Sequence, residues 1–224
     1  GVSKVVPFAD LDAADDDLWR SCIDVNVMGI WHVARAAAPA LRRSDNASIT
    51  NVTSVAGLRP SGSSIPYAVS KVVPFADLEA ADDELWRSCL DVNVMGIWHV
   101  VRAAAPALRR SGNASITNVT SVAGIRPSGS SIPYAVSKAA ANHLTRLLAS
   151  ALAPDIRVNA VAPGFIETPL TDSMPDRFRK GYEETAALGR IGHPDDIADA
   201  CLFLARSTYT TGEIVVVDGG LSIA

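Results

Sequence analysis

The stretch of residues 115–138, SITNVTSVAGIRPSGSSIPYAVSK, predicts a strand, a loop and the start of a helix in direct succession. Its first part, Ser115 to Thr120, is short and rich in β-branched residues, which predicts a strand. The following segment, Gly124 to Ser131, is rich in glycine and serine and predicts a loop. Pro133 is tolerated in the first turn of a helix, and the apolar residues that follow at helical spacing predict that this helix continues to Ala153.

The alternation of strands and helices continues toward the carboxyl terminus. Two segments predict strands and two predict helices: the strands are Ile156 to Val161 and Ile214 to Val217, and the helices are Pro175 to Thr185 and Pro194 to Ala205. Strands that alternate with helices pair in parallel through right-handed crossovers, so the sequence predicts an α/β fold. Because Ile214 to Val217 is entirely apolar, we expect it to be buried, with both faces of the sheet covered.

The amino-terminal part of the chain is a repeat. Residues 5–71 align with residues 72–138 without a gap; six of the 67 aligned pairs differ, which leaves 61 identical. Repeats that only stack on their neighbours normally share a spaced pattern and diverge between its positions, so near-identity over the whole unit predicts a tandem duplication. Residues 139–224 contain no third copy.

Each repeat predicts the same elements. In the first copy an acidic stretch before Leu18 supplies helix-capping carboxylates, and we expect a helix that runs to about Arg43 and bends near Pro39. Ser48 to Thr53 predicts a strand and Gly57 to Ser64 a loop. We expect the strand at 48–53 to pair beside the strand at 115–120, which would give a half sheet of about four strands.

Composition excludes several classes of protein. The 224 residues carry a formal charge of −4 and are 48% hydrophobic, as in soluble globular proteins. The chain has no runs of Lys and Arg of the kind that bind a nucleic-acid backbone, and its apolar runs are shorter than the roughly 20 residues needed to span a membrane. Its three cysteines do not form a paired disulfide framework, so we expect a cytoplasmic protein, and its four histidines lack metal-ligand spacing.

Four polar residues stand at ordered positions in and around residues 115–138. Asn93 lies within a predicted helix, Ser121 directly follows a predicted strand, and Tyr134 and Lys138 lie four residues apart on the next helix. A Lys at this spacing shares a helix face with the Tyr, and its positive charge favours the phenolate form. Ser121, at the carboxyl end of a strand, is suited to hydrogen-bond a substrate oxygen, because ligands bind at this edge of open α/β sheets.

This set of residues, with the Pro163-Gly164 pair after the next strand and Thr168 beyond it, closely resembles the short-chain dehydrogenase/reductase family. The resemblance implies a Rossmann-like, doubly wound parallel sheet flanked by helices. It also implies hydride transfer between NAD or NADP and a carbonyl or alcohol substrate, with Asn93, Ser121, Tyr134 and Lys138 as the catalytic residues. Tyr134, Lys138, Pro163, Gly164 and Thr168 would then contact the cofactor.

The first repeat carries the equivalent residues, Asn26, Ser54, Tyr67 and Lys71. The helix that bears Tyr67 and Lys71 is interrupted by Val72-Val73-Pro74, and no Pro-Gly pair follows it to form an opposite wall. We therefore expect one site, in the second repeat.

The glycine-rich turn by which the family binds dinucleotides, T-G-x-x-x-G-x-G, does not occur in these 224 residues. We therefore expect a single truncated Rossmann-like domain over residues 1–224, with the repeats at 5–71 and 72–138 and a family-like carboxyl-terminal part at 139–224, and we expect weak or lost cofactor binding.

Two functions remain open from the sequence. One is an NAD(P)-dependent oxidoreductase that acts on a small carbonyl or alcohol. The other is a non-catalytic, oligomerising structural protein, a remnant or an engineered duplication. In the family that the sequence resembles, the Asn-bearing and Tyr-bearing helices pair between subunits, so we expect a homo-oligomer under either function.

Overall fold

The computed structural model describes residues 14–28, 32, 83–111, 113–127, 131–168, 171 and 176–223. The predicted strand at 48–53 and the loop at 57–64 lie outside these residues. Six α-helices and three β-strands are formed within them: α1 Asp16–Ile23, α2 Asp83–Leu90, α3 Gly96–Leu108, β1 Ala114–Val119, α4 Ile132–Leu152, β2 Ile156–Pro163, α5 Asp176–Thr185, α6 Pro194–Arg206 and β3 Ile214–Val217.

Each repeat contains the same change of helical geometry. After α1 the chain forms a short π-helical turn, Asp24–Met28, and after α2 it forms the equivalent turn, Asp91–Met95. Both turns have the sequence DVNVM. In the second repeat the helix continues as α3, which contains Pro106 and ends two residues later at Leu108.

The described strands form one parallel sheet in the order β1-β2-β3. Ala114 pairs with Ile156 at one end of the β1–β2 ladder, and Val119 pairs with Val161 at the other. The α/β class and the parallel pairing are confirmed, with strand ends that differ from prediction by one or two residues. The fourth strand is not among the described residues.

Helices cover both faces of β2. Val158 is fully buried in the same apolar cluster as Leu144 of α4, while the side chain of Arg157 donates to the backbone oxygens of Leu204 and Ala205 at the end of α6. Successive side chains of a strand point to opposite faces, so α4 and α6 lie on opposite sides of the sheet. This is the doubly wound arrangement expected from the sequence.

One expectation about β3 is wrong. Ile214 is buried, but 38% of the surface of Val216 is exposed to solvent. Side chains of a strand point out of the plane of the sheet, so the exposure of Val216 shows that the described elements cover its face of β3 incompletely. An apolar run therefore overestimated how completely this strand is covered.

Three tryptophans of the repeats lie in the core. Trp19, Trp86 and Trp98 are at most 1% exposed, and they share one cluster with the apolar face of α4. Among the described residues no helix is both long and apolar enough to cross a membrane, and no group of His, Cys, Asp and Glu side chains there has the geometry of a metal site.

Candidate active site

The site lies at the carboxyl edge of the sheet, where β1 and β2 end side by side. The N–H of Thr120 donates to the carbonyl oxygen of Val161 at 2.8 Å, which continues the pairing one residue beyond β1. Ser121 and Pro163 therefore leave the sheet at the same edge, the edge at which ligands bind in open α/β sheets.

Ser121 caps a short 3₁₀ turn, Val122–Gly124, that follows β1. Its hydroxyl oxygen accepts a hydrogen bond from the N–H of Ala123 at 3.1 Å. Because the hydroxyl is an acceptor in this bond, its own proton is available for a second partner. Capping therefore fixes the position of the hydroxyl and leaves it able to donate to a ligand oxygen.

Gly124 brings this turn into direct contact with the backbone of α4. A Cβ at this position would lie 2.5 Å from the carbonyl carbon of Lys138 and 2.6 Å from the nitrogen of Ala139. No side chain fits in this space, so the glycine permits the approach of the two elements. The turn that carries Ser121 is thereby packed against the helix turn that carries Lys138.

Tyr134 and Lys138 lie on the first two turns of α4, and both are partly buried. Ser131 caps the helix by accepting a hydrogen bond from the N–H of Tyr134 at 3.3 Å. The Lys138 ammonium is 5.6 Å from the centre of the Tyr134 ring, and it donates a long hydrogen bond of 3.5 Å to the carbonyl oxygen of Val119. The cation and the phenol are thus neighbours, as their spacing predicts.

The Lys138 cation lies in a partly desolvated place. Burial lowers the pKa of Lys138, and the nearby Cys89 thiol group, when ionised, opposes this by favouring the cation. Burial also raises the pKa of Cys89, while the charge of Lys138 lowers it. A lysine with a lowered pKa exchanges its proton more readily near neutral pH than an exposed lysine does.

Asn93 is tied to the Tyr-bearing helix through one serine. Its side-chain N–H₂ donates to the hydroxyl of Ser137 at 2.9 Å, and that hydroxyl donates to the backbone oxygen of Tyr134 at 2.8 Å. The π-helical turn places Asn93 opposite α4, and π turns of this kind are frequent at functional sites. The four candidate residues therefore belong to three segments, and the turns that carry Ser121 and Asn93 both contact α4, which carries Tyr134 and Lys138.

The remaining three residues expected to contact the cofactor lie at or beyond the carboxyl end of β2, which is beside the end of β3. Pro163 ends β2, and the N–H of Gly164 donates to the oxygen of Val217 at 3.0 Å. A Cβ on Gly164 would lie 2.7 Å from the Cβ of Asp218, so close packing of β2 against the end of β3 requires glycine here. Thr168 lies in a turn in which its N–H donates to the hydroxyl of Thr171 at 2.8 Å.

Of the equivalent residues in the first repeat, the structure describes one. Asn26 is 2% exposed, and Ser54, Tyr67 and Lys71 lie outside the described residues. Three residues of the second repeat escaped the sequence analysis: Gly124, Ser137 and Cys89. Ser137 directly precedes Lys138 and Cys89 lies one helical turn before Asn93, but nothing in their spacing identifies their partners.

Family models cover almost the entire chain. A model described as short chain dehydrogenase matches residues 1–74, and one described as enoyl-(acyl carrier protein) reductase matches residues 72–222. The two matches meet at the junction of the two repeats.

Two curated relatives illustrate the similarity. The protein of Streptomyces violaceoruber named ketoacyl reductase 2 of the granaticin polyketide synthase is 53% identical over 154 residues, which are 67% of this chain and 61% of that protein. The 3-oxoacyl-(acyl-carrier-protein) reductase FabG of Thermotoga maritima is 42% identical over 144 residues, 63% of this chain and 58% of that protein. The chain thus spans about three fifths of the length of these relatives.

Solved structures agree with the fold. The 3-oxoacyl-(acyl-carrier protein) reductase of Brucella melitensis shares 37% identity with a TM-score of 0.61, over 65% of this chain and 56% of that chain. A gluconate 5-dehydrogenase of Burkholderia cenocepacia, solved in complex with NADP and tartrate, shares 32% identity with a TM-score of 0.62, over 66% of this chain and 60% of that chain.

Proposed function

Because the chain belongs to the short-chain dehydrogenase/reductase family of NAD(P)-dependent oxidoreductases, we propose that it transfers a hydride between a nicotinamide cofactor and the carbon of a carbonyl or alcohol. The observation that carries the proposal is the contact between two elements: the turn that begins at Ser121 packs through Gly124 on the helix turn of Lys138, one turn from Tyr134. This contact supports a common site for an oxyanion donor, a phenol and a cation.

Tyr134 is the proposed general acid in reduction and general base in oxidation. A carbonyl oxygen gains negative charge as hydride reaches the carbon, and a proton must be supplied to it. A free phenol, with a pKa of about 10, releases its proton reluctantly at neutral pH. The ammonium of Lys138, 5.6 Å from the Tyr134 ring, stabilises the negative charge that remains on the phenolate.

Ser121 and Asn93 support the reaction in different ways. The Ser121 hydroxyl, fixed by its bond with Ala123, donates a hydrogen bond to the substrate oxygen and stabilises the charge that develops there, while the transferred proton comes from Tyr134. Asn93, through Ser137, holds the first turn of the Tyr-bearing helix in place. By the chain's resemblance to the family, Asn93 is also proposed to hold a water of the proton relay.

The residues present fit the nicotinamide end of the cofactor. Among the described residues, the hydrogen-bond partner of the Lys138 ammonium is Val119 at 3.5 Å, so the ammonium retains donors for ribose hydroxyls. Tyr134, Pro163, Gly164 and Thr168 are proposed to complete this contact. When bound, the cofactor supplies or accepts the hydride, and NAD and NADP are both included in the proposal.

The first substrate to test is a 3-oxoacyl thioester. Relatives named as ketoacyl and 3-oxoacyl reductases match this chain at 53% and 42% identity. A β-keto carbonyl presents the oxygen that Ser121 and Tyr134 are proposed to bind.

The first measurement is a titration of the full chain with NADH and with NADPH, followed by the anisotropy of the cofactor's fluorescence. Saturable binding supports the proposed oxidoreductase, even if it is weak. Absence of binding by a demonstrably folded chain contradicts it and favours the non-catalytic structural role.

The second measurement uses the repeat as an internal control. Tyr134→Phe removes the proposed acid, and we expect kcat/KM to fall by about 100- to 10,000-fold. Tyr67→Phe makes the same change in the first repeat, and we expect turnover to be retained. Equal losses in both variants, or no loss in Tyr134→Phe, would contradict the assignment.

A further inference from the structure

The two repeats touch each other through reciprocal Asp–His contacts. Asp16 contacts His99, with Oδ1 and Nε2 3.2 Å apart, and Asp83 contacts His32, with Oδ2 and Nε2 3.1 Å apart. Asp83 is the repeat equivalent of Asp16, and His99 is the equivalent of His32. The Asp of each repeat therefore contacts the His of the other repeat.

The surroundings of the two pairs are also equal. The His and Asp side chains are 51% and 47% exposed in one pair and 48% and 47% exposed in the other. Two copies of a sequence placed in unrelated packing environments have no reason to match in this way. The matched distances and exposures indicate a local two-fold relation between the copies.

The direction of the contacts agrees with a two-fold axis. Asp16 lies at the start of α1, whereas its partner His99 lies 16 residues beyond the start of α2. Between these two ends, Arg87 of α2 contacts Asp24, the first residue of the π-helical turn after α1, at 3.4 Å. Contacts that join the start of one segment to the end of its copy require an antiparallel arrangement, which a two-fold axis perpendicular to both helices produces.

An aromatic contact and a cavity continue the pattern. Trp19 and Trp98 lie with their ring centres 5.5 Å apart, and Trp86, the equivalent of Trp19, is buried to the same degree. Between the copies lies a cavity of about 500 Å³. Eight of its lining residues form four equivalent couples: Arg20 and Arg87, Ile23 and Leu90, Asp24 and Asp91, Met28 and Met95.

We infer that these segments, residues 16–28 with His32 and residues 83–99, form one self-complementary interface that a single chain closes on itself. In a two-fold assembly the same patch is used on both sides, and residue i contacts j while j contacts i. The partner that this surface fits is a second copy of the same helix, and in this chain the first repeat is that copy. The second repeat's face is filled without another subunit.

The inference does not depend on the proposed enzymatic activity, and cross-linking of the full chain tests it. The background variant is Cys89→Ser/Cys201→Ser, which retains only the buried Cys22. Asp16→Cys and His99→Cys are introduced together into this background, and the purified variant is treated with a short bismaleimide at low protein concentration. We expect a product with the mass of one chain. A product with the mass of two chains would overturn closure within one chain, since the repeats would then pair between molecules.

The reciprocal pair tests the symmetry and serves as the second variant. Asp83→Cys with His32→Cys in the same background should cross-link at the same rate as the first pair, because a two-fold axis makes the two sites equivalent. Rates that differ by tenfold or more, or loss of cross-linking at one site while its cysteines still react with a monofunctional maleimide, would overturn the two-fold relation.

The matched control moves one cysteine by a single residue. Asp17 lies in the same helical turn as Asp16, but it is exposed and points in a direction rotated by about 100° around the helix axis. Asp17→Cys with His99→Cys should give much less of the one-chain product. Equal yields from Asp16→Cys and Asp17→Cys would show that the linker captures loose encounters, which contradicts a defined interface.

Discussion

At the scale of single residues, Lys138 is where stability and the proposed chemistry conflict. A lysine cation prefers water, and burial of Lys138 lowers its pKa from the ordinary value of 10.5. The folded chain thus holds a charge at a cost that the unfolded chain does not have. Its position beside Tyr134 gives a reason for keeping it.

Replacement of this cation should stabilise the protein while it removes activity. Between the lowered pKa and 10.5 the unfolded chain binds more protons than the folded chain, so the unfolding free energy rises with pH in this window. Lys138→Met should therefore be more stable than the native chain at neutral pH, and the difference should shrink as pH approaches 10.5. Urea unfolding at several pH values measures this.

An exposed lysine provides the control. Lys180→Met, on the exposed side of α5, should show no such pH-dependent gain and should retain turnover. A Lys138→Met variant that is less stable than the native chain at neutral pH would show that the Val119 bond and ring contact outweigh the desolvation of the cation.

At the scale of elements, the contact of the 3₁₀ turn with α4 depends on Gly124. Gly124→Ala puts a Cβ 2.5 Å from the backbone of Lys138, so the turn that carries Ser121 must move away from the helix. We expect about 1–3 kcal/mol of destabilisation, as in other overpacked sites. We also expect a loss of kcat larger than any rise in KM, because the Ser121 hydroxyl is displaced from the reacting oxygen.

The repeat again offers the comparison. Gly57→Ala makes the same change in the first copy, for which we propose no catalytic role, and kcat should be retained. Thermal unfolding and steady-state turnover of both variants are the measurements. A Gly124→Ala variant with native kcat would show that the turn can shift without affecting the reaction.

A second element, α6, depends on an ion pair at its start. Asp196 accepts two hydrogen bonds from Arg190, at 2.8 and 3.0 Å, and one from the N–H of His193 at 2.7 Å. These bonds, the Arg190 bond first, lower the pKa of Asp196 from 3.8 to about 2. The carboxylate thus caps the helix and anchors the preceding loop.

The stability that this carboxylate provides should depend on pH in a defined direction. It is fully present above pH 3.8 and is lost as pH falls toward about 2. Asp196→Asn should therefore have a lower Tm than the native chain at neutral pH, and the two should converge in acid. Asp195→Asn, one residue away in the same first turn, controls for the helix dipole. An equal effect of both substitutions would contradict a specific role of the Arg190 pair.

At the scale of the whole molecule, one apolar cluster joins both repeats to the carboxyl-terminal part. It contains Trp19 of the first repeat, Trp98 of the second, and Leu144 and Val158 beyond them. Parts that share a core unfold together, so we expect a single cooperative transition.

A core substitution tests this unity. Leu144 is fully buried, and Leu144→Ala should cost about 2–5 kcal/mol and shift the entire transition, because the cavity it leaves cannot collapse fully. Leu202→Ala, at a leucine that is 49% exposed, should change stability by no more than about 0.5 kcal/mol. Two separate transitions, followed by tryptophan fluorescence and by circular dichroism, would contradict a shared core.

Local preferences explain how much of the fold the sequence predicted. β-branched runs, capping residues and helical spacing act over a few residues, and they correctly predicted β1, β2, β3 and the helices that follow β1 and β2. The expectation that β3 is covered on both faces failed because the exposure of Val216 depends on what packs over that face of the sheet, which an apolar run does not state.

The candidate site divides in the same way. Lys138 beside Tyr134 and Ser121 at a strand end follow from spacing alone, because helix and strand geometry fixes them. Their catalytic roles stay predictions. The bond from Asn93 to Ser137, the contact of Gly124 with α4 and the neighbourhood of Cys89 and Lys138 join residues distant in sequence, and no local pattern records them.

The order of the described elements, the repeat and the residue types at the carboxyl edge of the sheet all follow from the amino-acid sequence. The tertiary structure adds which surfaces the two copies contact: Asn93 of the second copy bonds to Ser137 on the Tyr-bearing helix, and Asp16 of the first copy contacts His99 of the second. The physical reason is that two copies with the same local preferences form the same helices. Which surface each copy contacts is set by long-range packing, in which one copy fills the face that the other presents.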